Sequence, residues 1–431
     1  MSAGARAEPV SADPPAPRIV LGVGGGIAAY KACELLRLFT ESGHDVRVVP
    51  TAAALRFVGE ATWAALSGHP VASDVWTDAE RVPHVAIGRS AELIVVAPAT
   101  ADLLAKAANG IADDLLTNTL LTARCPIVLA PAMHTEMWEH PATVANVATL
   151  RDRGVLVIEP AVGRLTGADT GKGRLPEPEE IFFVARRALL AAWATAGRGA
   201  AGGDAAGRGA EDPLAGARVV VTAGGTREPI DPVRFIGNHS SGKQGYAFAR
   251  TAVARGATVT LIAANVTLPD PAGVRLVRVG TTEEMRQATL AAAEEADVVV
   301  MAAAPADFRP AEYVTTKIKK EEAGDAHVLR LVRNPDIASE LGERKRPGQV
   351  LVVFAAETGD AVANAKAKLA RKRADLIVVN EVGPEKVFGQ ETNAVLVLGA
   401  DGSVVEIDEA PKEDIADAVW DLVARRLRPP P

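Results

Sequence analysis

The sequence predicts an α/β protein made of two doubly wound domains. From Arg18 onwards, short β-branched runs alternate with helical stretches, a pattern typical of parallel sheets covered by helices. The candidate strands are nearly continuous apolar runs, as expected for strands buried on both faces. A glycine-rich stretch at 197–209 interrupts this alternation, and 431 residues are enough for two or three separate cores.

The first domain is predicted over residues 18–195 and contains five candidate strands. These are 19–23, 46–49, 93–97, 127–130 and 155–158. The preceding residues 1–17 are expected to form a disordered tail, and because they have no apolar stretch of signal-peptide length we expect no export by that route. Residues 196–213 contain no large apolar cluster and are predicted to form a flexible linker.

The second domain is predicted over residues 214–431, where the strand and helix alternation restarts. Its candidate strands are 218–222, 258–262, 274–279, 298–302, 351–354 and 376–379. Two further runs, 395–398 and 404–407, flank Asp401 and Gly402 and predict a hairpin with a tight turn. Apolar residues at helical spacing over 411–427 predict a closing helix.

Charge and cysteine content exclude several classes of protein. The 47 Lys and Arg residues against 54 Asp and Glu give a net charge of −7, which argues against sequence-blind nucleic-acid binding. Cys33 and Cys125 are too few for a disulfide framework, and a reducing cytoplasm is expected. No run approaches 18 apolar residues, so we expect no membrane span.

A glycine loop after the first strand suggests a phosphate site. Gly24, Gly25 and Gly26 lead into a helix that opens at Ile27, where backbone N–H groups can hold an anion. Glycines also permit tight packing of strand against helix, and this alternative stays open. The next strand ends at Thr51 and not at an acidic residue, which favours a mononucleotide such as FMN over NAD.

A second loop precedes a helix in the C-terminal half. Residues 237–243 fit the G-x-x-x-x-G-K pattern, but Gln244 replaces the Ser or Thr that a P-loop uses for magnesium. A P-loop NTPase is therefore not expected. Ser240, Ser241, Gly242 and Lys243 still form a donor-rich helix start, which suits either an anion or a solvated cap.

Longer motifs give a more specific interpretation. The first domain contains GGGIAAYK (24–31), APATAD (97–102), ANGIADDLL (108–116) and PAM (131–133), and the second contains TAGGTREPIDPVR (222–234) and NHSSGK (238–243). In this order they resemble the bifunctional coenzyme A biosynthesis enzymes that join a flavin-dependent phosphopantothenoylcysteine decarboxylase to a phosphopantothenate–cysteine ligase. The resemblance implies an N-terminal flavodoxin-like flavoprotein domain and a C-terminal Rossmann-like ligase domain.

In the decarboxylase half, the resemblance implies His84 as a catalytic residue acting on the cysteine thiol. It implies FMN contacts at Gly24, Gly25, Gly26, Ile27, Thr51, Pro98, Ala99 and Thr100, and substrate contacts at Asn109, Met133, His134 and Arg174. Two positions depart from the family pattern. His134 stands where the family has Asn, and Gly167 stands where the family has its proton-donating cysteine, so another donor or water must serve there.

In the ligase half, the resemblance implies that CTP activates 4′-phosphopantothenate as an acyl-cytidylate before the cysteine amine attacks. Magnesium is expected with the triphosphate, but no metal ligand is assigned. Asn238 and Lys317 are the implied catalytic residues. The implied CTP contacts are Ser240, Ser241, Gly242, Lys243, Ala302, Ala303, Asp307, Lys317, Asn334, Pro335, Asp336, Ile337, Phe354, Lys368 and Lys372. Spacing alone would also fit a solvated charge run around Lys317.

The resemblance further implies a homo-oligomer, with trimeric decarboxylase domains and dimeric ligase domains, and partners that are small molecules. Two alternatives remain. The departures at His134 and Gly167 allow an active ligase fused to an impaired decarboxylase, and relatives of the flavin fold also serve as non-enzymatic interaction subunits. An NAD-dependent oxidoreductase is disfavoured because both halves lack the acidic residue that holds the ribose.

Overall fold

A computed structural model describes residues 16–71, 83–165, 169–199, 212–319, 328–357, 361–381 and 392–427. The chain divides into two compact units, Met1–Gly203 and Asp204–Pro431, which are treated separately below. Within the described ranges, no helix is long and apolar enough to cross a membrane.

The N-terminal unit contains a five-stranded parallel sheet, as predicted. Its strands are β1 (Arg18–Val23), β2 (Asp45–Pro50), β3 (Leu93–Ala99), β4 (Ile127–Pro131) and β5 (Leu156–Val157). Their order in the sheet is β2-β1-β3-β4-β5, the flavodoxin-like order. In this order the chain moves first to one side of β1 and then to the other, so a crevice opens between the carboxyl ends of β1 and β3.

Helices cover both faces of this sheet. They are α1 (Lys31–Glu41), α2 (Glu60–Ser67), α3 (Pro83–Ser90), α4 (Ala101–Asn109), α5 (Leu115–Thr122), α6 (Thr135–Trp138), α7 (Pro141–Asp152) and α8 (Pro178–Gly199), with short 3-10 helices at Ile27–Tyr30 and Ala54–Arg56. On one face, Leu35, Leu36 and Phe39 of α1 share a core with Ile181 and Leu189 of α8. Their spacing places the α1 residues on one helical face.

Two features of this unit differ from the sequence prediction. Helix α8 continues through residues 196–199, which were predicted as linker, although Gly197 and Gly199 are poor helix formers. The remaining linker residues 200–211 lie outside the described ranges. An unpredicted antiparallel hairpin joins β6 (Ala161–Arg164) to β7 (Thr170–Arg174). Gly167 also falls outside the described residues.

The C-terminal unit contains an eight-stranded sheet. Its strands are β8 (Arg218–Gly224), β11 (Thr258–Ala264), β12 (Val274–Val279), β13 (Val298–Met301), β16 (Val350–Glu357), β17 (Leu376–Glu381), β18 (Thr392–Gly399) and β19 (Val404–Pro411). The order is β12-β11-β8-β13-β16-β17-β18-β19, parallel as far as β17 and antiparallel beyond it. The first six strands have the Rossmann order, with the reversal point between β8 and β13.

Two short hairpins and five helices complete the described part of this unit. The hairpins are β9 (Arg227–Pro229) with β10 (Phe235–Gly237), and β14 (Phe308–Pro310) with β15 (Leu331–Arg333). The helices are α9 (Lys243–Ala254), α10 (Thr282–Ala293), α11 (Ile337–Arg344), α12 (Ala361–Arg371) and α13 (Lys412–Leu427).

The predicted closing helix is present as α13 and docks on α9. Val419 and Trp420 are fully buried, and the Trp420 indole N–H donates to Thr251 Oγ1 at 2.8 Å. Arg255, only 4% exposed, donates from Nε to Asp417 at 2.8 Å. A buried guanidinium needs such a carboxylate partner, so this contact ties the two helices together.

Candidate functional sites

A cavity of about 770 Å³ lies at the carboxyl edge of the N-terminal sheet. The segments after β1, β2, β3 and β4 all contribute to it, because the ends of parallel strands meet at one edge. Nine of the residues predicted for FMN or substrate line this cavity, namely Gly25, Gly26, Ile27, Thr51, Pro98, Thr100, Met133, His134 and Arg174.

Close packing, as well as ligand binding, can account for the glycines in the loop after β1. The Gly24 N–H donates to the Pro98 carbonyl at 3.0 Å, and a Cβ at Gly24 would lie 2.4 Å from that oxygen. A Cβ at Gly25 would lie 2.3 Å from Cβ of Ala53, whereas one at Gly26 would meet nothing within 4 Å. Close packing therefore explains Gly24 and Gly25, and the helix start beyond Gly26 remains open to the cavity.

Two lysines at the cavity, Lys31 and Lys106, were not predicted from the sequence. Lys31 Nζ lies 2.8 Å from Glu177 Oε2, and Arg174 bonds to the same carboxylate, so Glu177 holds two lining cations in place. Lys106 contacts Asp102 at 3.1 Å, and its hydrogen bonds to Asp113 and Asp102 raise its pKa. The sequence signal for Lys31 was its position at the end of the GGGIAAYK motif, five residues after Gly26.

The β6–β7 hairpin positions the predicted substrate loop. The Met133 N–H donates to the Gly173 carbonyl at 2.9 Å. Gly173 has a φ of +152°, and a Cβ there would lie 2.1 Å from the Met133 carbonyl oxygen. Only glycine permits this approach, which brings Met133, the adjacent His134 and Arg174 to one wall of the cavity.

His84 and Asn109 do not line this cavity, nor do Gly24 and Ala99. His84 lies in the first turn of α3, where its carbonyl accepts from Thr122 Oγ1 at 2.9 Å. Its Nδ1 is buried without a hydrogen-bond partner among the described residues. Asn109 ends α4 and donates to the Ala105 carbonyl at 2.8 Å. The roles proposed for these two side chains remain predictions.

In the C-terminal unit, the predicted ligase residues gather at the carboxyl edge near the β8 and β13 reversal point. Asn238 Nδ2 donates to the Pro305 carbonyl at 2.9 Å. The Ala304 N–H donates to the Gly224 carbonyl at 2.8 Å, and a Cβ at Gly225 would lie 2.4 Å from the Asn238 carbonyl oxygen. The NHSSGK loop, the glycine turn and the loop that carries Asp307 are therefore in contact.

The predicted anion loop at the start of α9 is held by hydrogen bonds from its own backbone to two serine hydroxyls. Gly242 adopts the left-handed conformation with a φ of +78°. Its N–H donates to Ser240 Oγ at 3.3 Å, and the Lys243 N–H donates to Ser241 Oγ at 3.4 Å. Both hydroxyls thus serve the helix start, and anion binding at this loop remains a prediction.

Asp336 and Lys372, both predicted for CTP, bind each other. Lys372 Nζ donates to Asp336 Oδ1 at 2.9 Å, and the Ser339 N–H donates to the same atom at 3.1 Å. Burial alone would raise the pKa of Asp336, but these two bonds outweigh it and hold the pKa below its usual range. Lys368 and Lys372 were expected to contact one triphosphate together. In the structure Lys372 is engaged by Asp336, so it would have to leave this ion pair or share it with the triphosphate.

Lys317 lies exposed on an irregular segment that is anchored one residue later. The Ile318 N–H donates to Asp231 Oδ2 at 3.2 Å, and the Ile318 carbonyl accepts from Arg234 at 3.2 Å. Asp231 is 2% exposed; desolvation would raise its pKa, but hydrogen bonds from the backbone of Val233, Arg234 and Ile318 lower it.

Ala302, Ala303 and Phe354 lie in or directly after the neighbouring strands β13 and β16, whereas Pro335 and Ile337 flank Asp336 at the start of α11. The Ala303 N–H donates to Thr222 Oγ1 at 3.1 Å just after β13. In β16, the Phe354 ring packs edge-on against Phe248, with centroids 5.5 Å apart. Across the described ranges, no group of three or more His, Cys, Asp or Glu side chains is arranged to hold a metal ion.

Comparison with known proteins decides the family. Residues 8–189 match the family model described as Flavoprotein, and residues 214–427 match the DNA/pantothenate metabolism flavoprotein C-terminal domain. The Coenzyme A biosynthesis bifunctional protein CoaBC of Mycolicibacterium smegmatis is 54% identical over 421 residues, covering 95% of this chain and 98% of the relative. The chain belongs to the CoaBC family. It is therefore a bifunctional enzyme of coenzyme A biosynthesis with decarboxylase and ligase domains.

More distant members of the CoaBC family also match along most of the chain. The Bacillus subtilis CoaBC is 42% identical over 410 residues, covering 94% of this chain and 96% of the relative. The resemblance seen in the motifs is thus confirmed, and matches along both halves favour the bifunctional interpretation over a ligase with an impaired partner domain.

Solved structures similar to each half are also known. The C-terminal domain of a CoaBC protein is 37% identical and covers 50% of this chain and 98% of its own, with a TM-score of 0.43. A mutant PPC decarboxylase complexed with pantothenoylaminoethenethiol is 32% identical and covers 40% and 97%, with a TM-score of 0.37. Because both scores are below 0.5, the CoaBC assignment rests on the full-length relatives.

Proposed function

We propose that the C-terminal unit joins cysteine to 4′-phosphopantothenate at the expense of CTP, and that the N-terminal unit decarboxylates the product with bound FMN. The observation that carries the proposal is the 54% identity to a CoaBC protein, which extends through both units. In each unit, several of the predicted residues lie at the carboxyl edge of the sheet, where doubly wound folds bind nucleotides.

The N-terminal cavity fits a flavin mononucleotide. Its volume of about 770 Å³ lies within the usual range for small-molecule sites. It lies at the carboxyl ends of β1 and β3, the place where the flavodoxin-like order binds FMN. The open helix start at Ile27 offers N–H groups to a phosphate. A bound flavin would supply the two-electron oxidation of the cysteine thiol that prepares the carboxylate for loss.

The chain's own residues would orient the substrate beside the flavin. Arg174 is held by Glu177 and faces the cavity, so it offers a fixed guanidinium to a carboxylate or phosphate. His134 occupies the family's Asn position on the same wall and can donate to the same kind of group. Both contacts would bind and align an anionic substrate.

His84 fits the role of a proton-transfer group in an assembled protein. It does not line the cavity of its own unit, and its Nδ1 is buried without a partner among the residues that the structure describes. In the trimer implied by the family resemblance, His84 would complete a neighbouring protomer's site. Imidazole suits a thiol proton because its pKa lies near neutrality.

In the ligase unit, Asn238 and Lys317 would act on the CTP and carboxylate anions. A lysine ammonium can stabilise charge that develops at the activated carboxyl group. Magnesium would accompany CTP, but the described residues form no metal cluster, so no step is assigned to a protein-held ion. We further propose a cytoplasmic homo-oligomer with trimeric decarboxylase and dimeric ligase domains, to be checked by light scattering.

A single assay tests the proposed function. Purified protein receives 4′-phosphopantothenate, cysteine, CTP and magnesium, and the products are resolved by mass. The proposal predicts CMP, pyrophosphate and 4′-phosphopantetheine. Accumulation of phosphopantothenoylcysteine without phosphopantetheine would leave only the ligase. Protein that neither carries nor binds flavin would contradict the assignment of the N-terminal cavity.

A further inference from the structure

Three segments of the C-terminal unit meet at the hydroxyl of Thr282, the first residue of α10: the helix start itself, the segment with Thr226 and Glu228, and the loop with Asn334. Thr282 Oγ1 lies 2.8 Å from Thr226 Oγ1 and 2.8 Å from Glu228 Oε1. Asn334 Nδ2 donates to the same hydroxyl at 3.3 Å. Thr226 and Thr282 are fully buried, and Glu228 is 3% exposed.

The direction of every hydrogen bond in this group is fixed. Glu228 Oε1 accepts from both the N–H and the hydroxyl of Thr282, each at 2.8 Å. The Thr282 hydroxyl has one proton, so it must accept from Thr226. Thr226 Oγ1 in turn accepts from the Ala306 N–H at 2.8 Å. The result is a relay of aligned donors that runs from Ala306 through Thr226 and Thr282 to Glu228.

The side chain of Asn334 is engaged in the same network. Besides the bond to Thr282, its Nδ2 donates to the Ala306 carbonyl at 2.8 Å, and its Oδ1 accepts from Arg309 at 3.0 Å. Its backbone N–H donates to the Asp307 carbonyl at 2.9 Å. Both amide protons are therefore used within the protein, so this side chain is better suited to holding loops together than to contacting a nucleotide.

The carboxyl group of Glu228 marks the end of the relay. It lies at the N-terminus of α10, where the unpaired N–H groups and the helix dipole favour negative charge. Thr281 caps this helix with its own side chain, which leaves the Thr282 N–H for Glu228. A buried network whose members are all satisfied fixes one arrangement of the loops that contain them.

We propose that Thr282 is a positioning residue of the ligase, whose hydroxyl locks the Ala306–Asp307 loop to the Asn334 loop before CTP arrives. The proposal rests on the proposed function, because Asp307 and residues 335–337 are the expected CTP contacts. When two loops are already held in one relative position, the residues that contact CTP need not be ordered on binding, and the entropy cost of ordering them is avoided. Asn334 acts in the same way, through its neighbours and not through contact.

The test compares Thr282→Val with Thr282→Ser in the full-length protein. Valine keeps the shape and removes the hydroxyl, while serine keeps the hydroxyl. We expect Thr282→Val to lower kcat/KM for CTP by about ten-fold or more, mainly through KM, because buried donors lose their acceptor. Thr282→Ser should stay within about two-fold of the parent protein.

A matched control lies on the same helix. Thr289 is fully buried in α10, and its hydroxyl has no hydrogen-bond partner among the described residues. Thr289→Val makes the same chemical change without breaking a bond, so its ligase kinetics should match the parent protein. Decarboxylation of supplied phosphopantothenoylcysteine should be unchanged in all three variants, since that reaction belongs to the other unit.

The outcomes separate this inference from the proposed function. An inactive parent protein would overturn the function itself. With an active parent, normal CTP kinetics in Thr282→Val would overturn the positioning role, and so would an equal loss in Thr282→Ser. Should Thr282→Val fail to fold, Thr226→Val and Thr226→Ser apply the same comparison one hydroxyl further along the relay.

Discussion

The Asp231 carboxylate accepts a hydrogen bond from the backbone of Ile318, 87 residues further along the chain, at 3.2 Å. The Arg234 guanidinium forms an ion pair with Asp231 at 2.9 Å and also donates a hydrogen bond to the Ile318 carbonyl. Both backbone groups of Ile318 are thus held by one ion pair, next to the exposed Lys317. These contacts give an irregular segment a defined position, and with it the lysine that is predicted to be catalytic.

Replacing Asp231 with Asn should release this segment. The carboxylate accepts hydrogen bonds through both of its oxygens, whereas an amide has only one oxygen. We therefore expect faster amide hydrogen exchange at residues 314–318. Ligase kcat should fall by about ten-fold, because Lys317 loses its fixed position. The double variant with Lys317→Gln should be no slower than Lys317→Gln alone. Additive losses would show that Asp231 does not act through Lys317.

The pH dependence of this contact follows from the lowered pKa of Asp231. A carboxylate with a depressed folded-state pKa contributes stability above its unfolded pKa of about 3.9, and that stability is lost as the pH falls through the folded value. The Asp231→Asn defect should therefore be constant between pH 5 and 8. A defect that disappears at pH 5 would mean that Asp231 titrates in this range.

Gly25→Ala should separate the packing and binding roles of the glycine loop. Its Cβ would lie 2.3 Å from Cβ of Ala53, whereas a Cβ at Gly26 has open space. We expect Gly25→Ala to cost about 1–3 kcal/mol and to lower the melting temperature of the flavin-free N-terminal unit by several degrees. Gly26→Ala should leave that temperature unchanged. Calorimetry checks both, and equal melting temperatures would exclude the packing role.

Arg255→Ala should destabilise the ligase unit. The substitution removes the ion-pair partner of Asp417 from a nearly buried pair. We expect this to lower the free energy of unfolding by about 3–5 kcal/mol. Asp421→Ala is the control, because the Asp421 side chain is 62% exposed and its bridge should contribute less than about 1 kcal/mol. Denaturant unfolding measures both losses. Similar losses in the free energy of unfolding for Arg255→Ala and Asp421→Ala would contradict the prediction.

The strands could be predicted because their signal is local. The runs of β3 and β13 are continuously apolar and lie between helical stretches, and the structure reproduces these two within two residues, whereas β16, β18 and β19 extend three or four residues beyond the predicted bounds. The β6–β7 hairpin has no such signal, because Gly163, Gly171 and Gly173 lower its β propensity. Its register depends on the approach of Gly173 to Met133, which is a tertiary contact.

A position at the cavity was predictable where a residue follows a strand directly, as Thr51 follows β2 and Thr100 follows β3. It was not predictable where a side chain depends on a distant partner. Glu177 holds Lys31 across 146 residues, and Thr282 joins Thr226 and Asn334, which are far apart in the sequence. No local pattern marks such residues, since their roles arise only when loops from different strands meet.

The central claim is that one chain contains two chemically independent sites. The most direct measurement follows products by mass in His84→Asn and Lys317→Gln, supplied with 4′-phosphopantothenate, cysteine, CTP and magnesium. We predict that His84→Asn accumulates phosphopantothenoylcysteine and releases CMP normally. Lys317→Gln should form both only at a small residual rate, yet should decarboxylate added phosphopantothenoylcysteine at the parent rate. Loss of both activities in either folded variant would contradict the account.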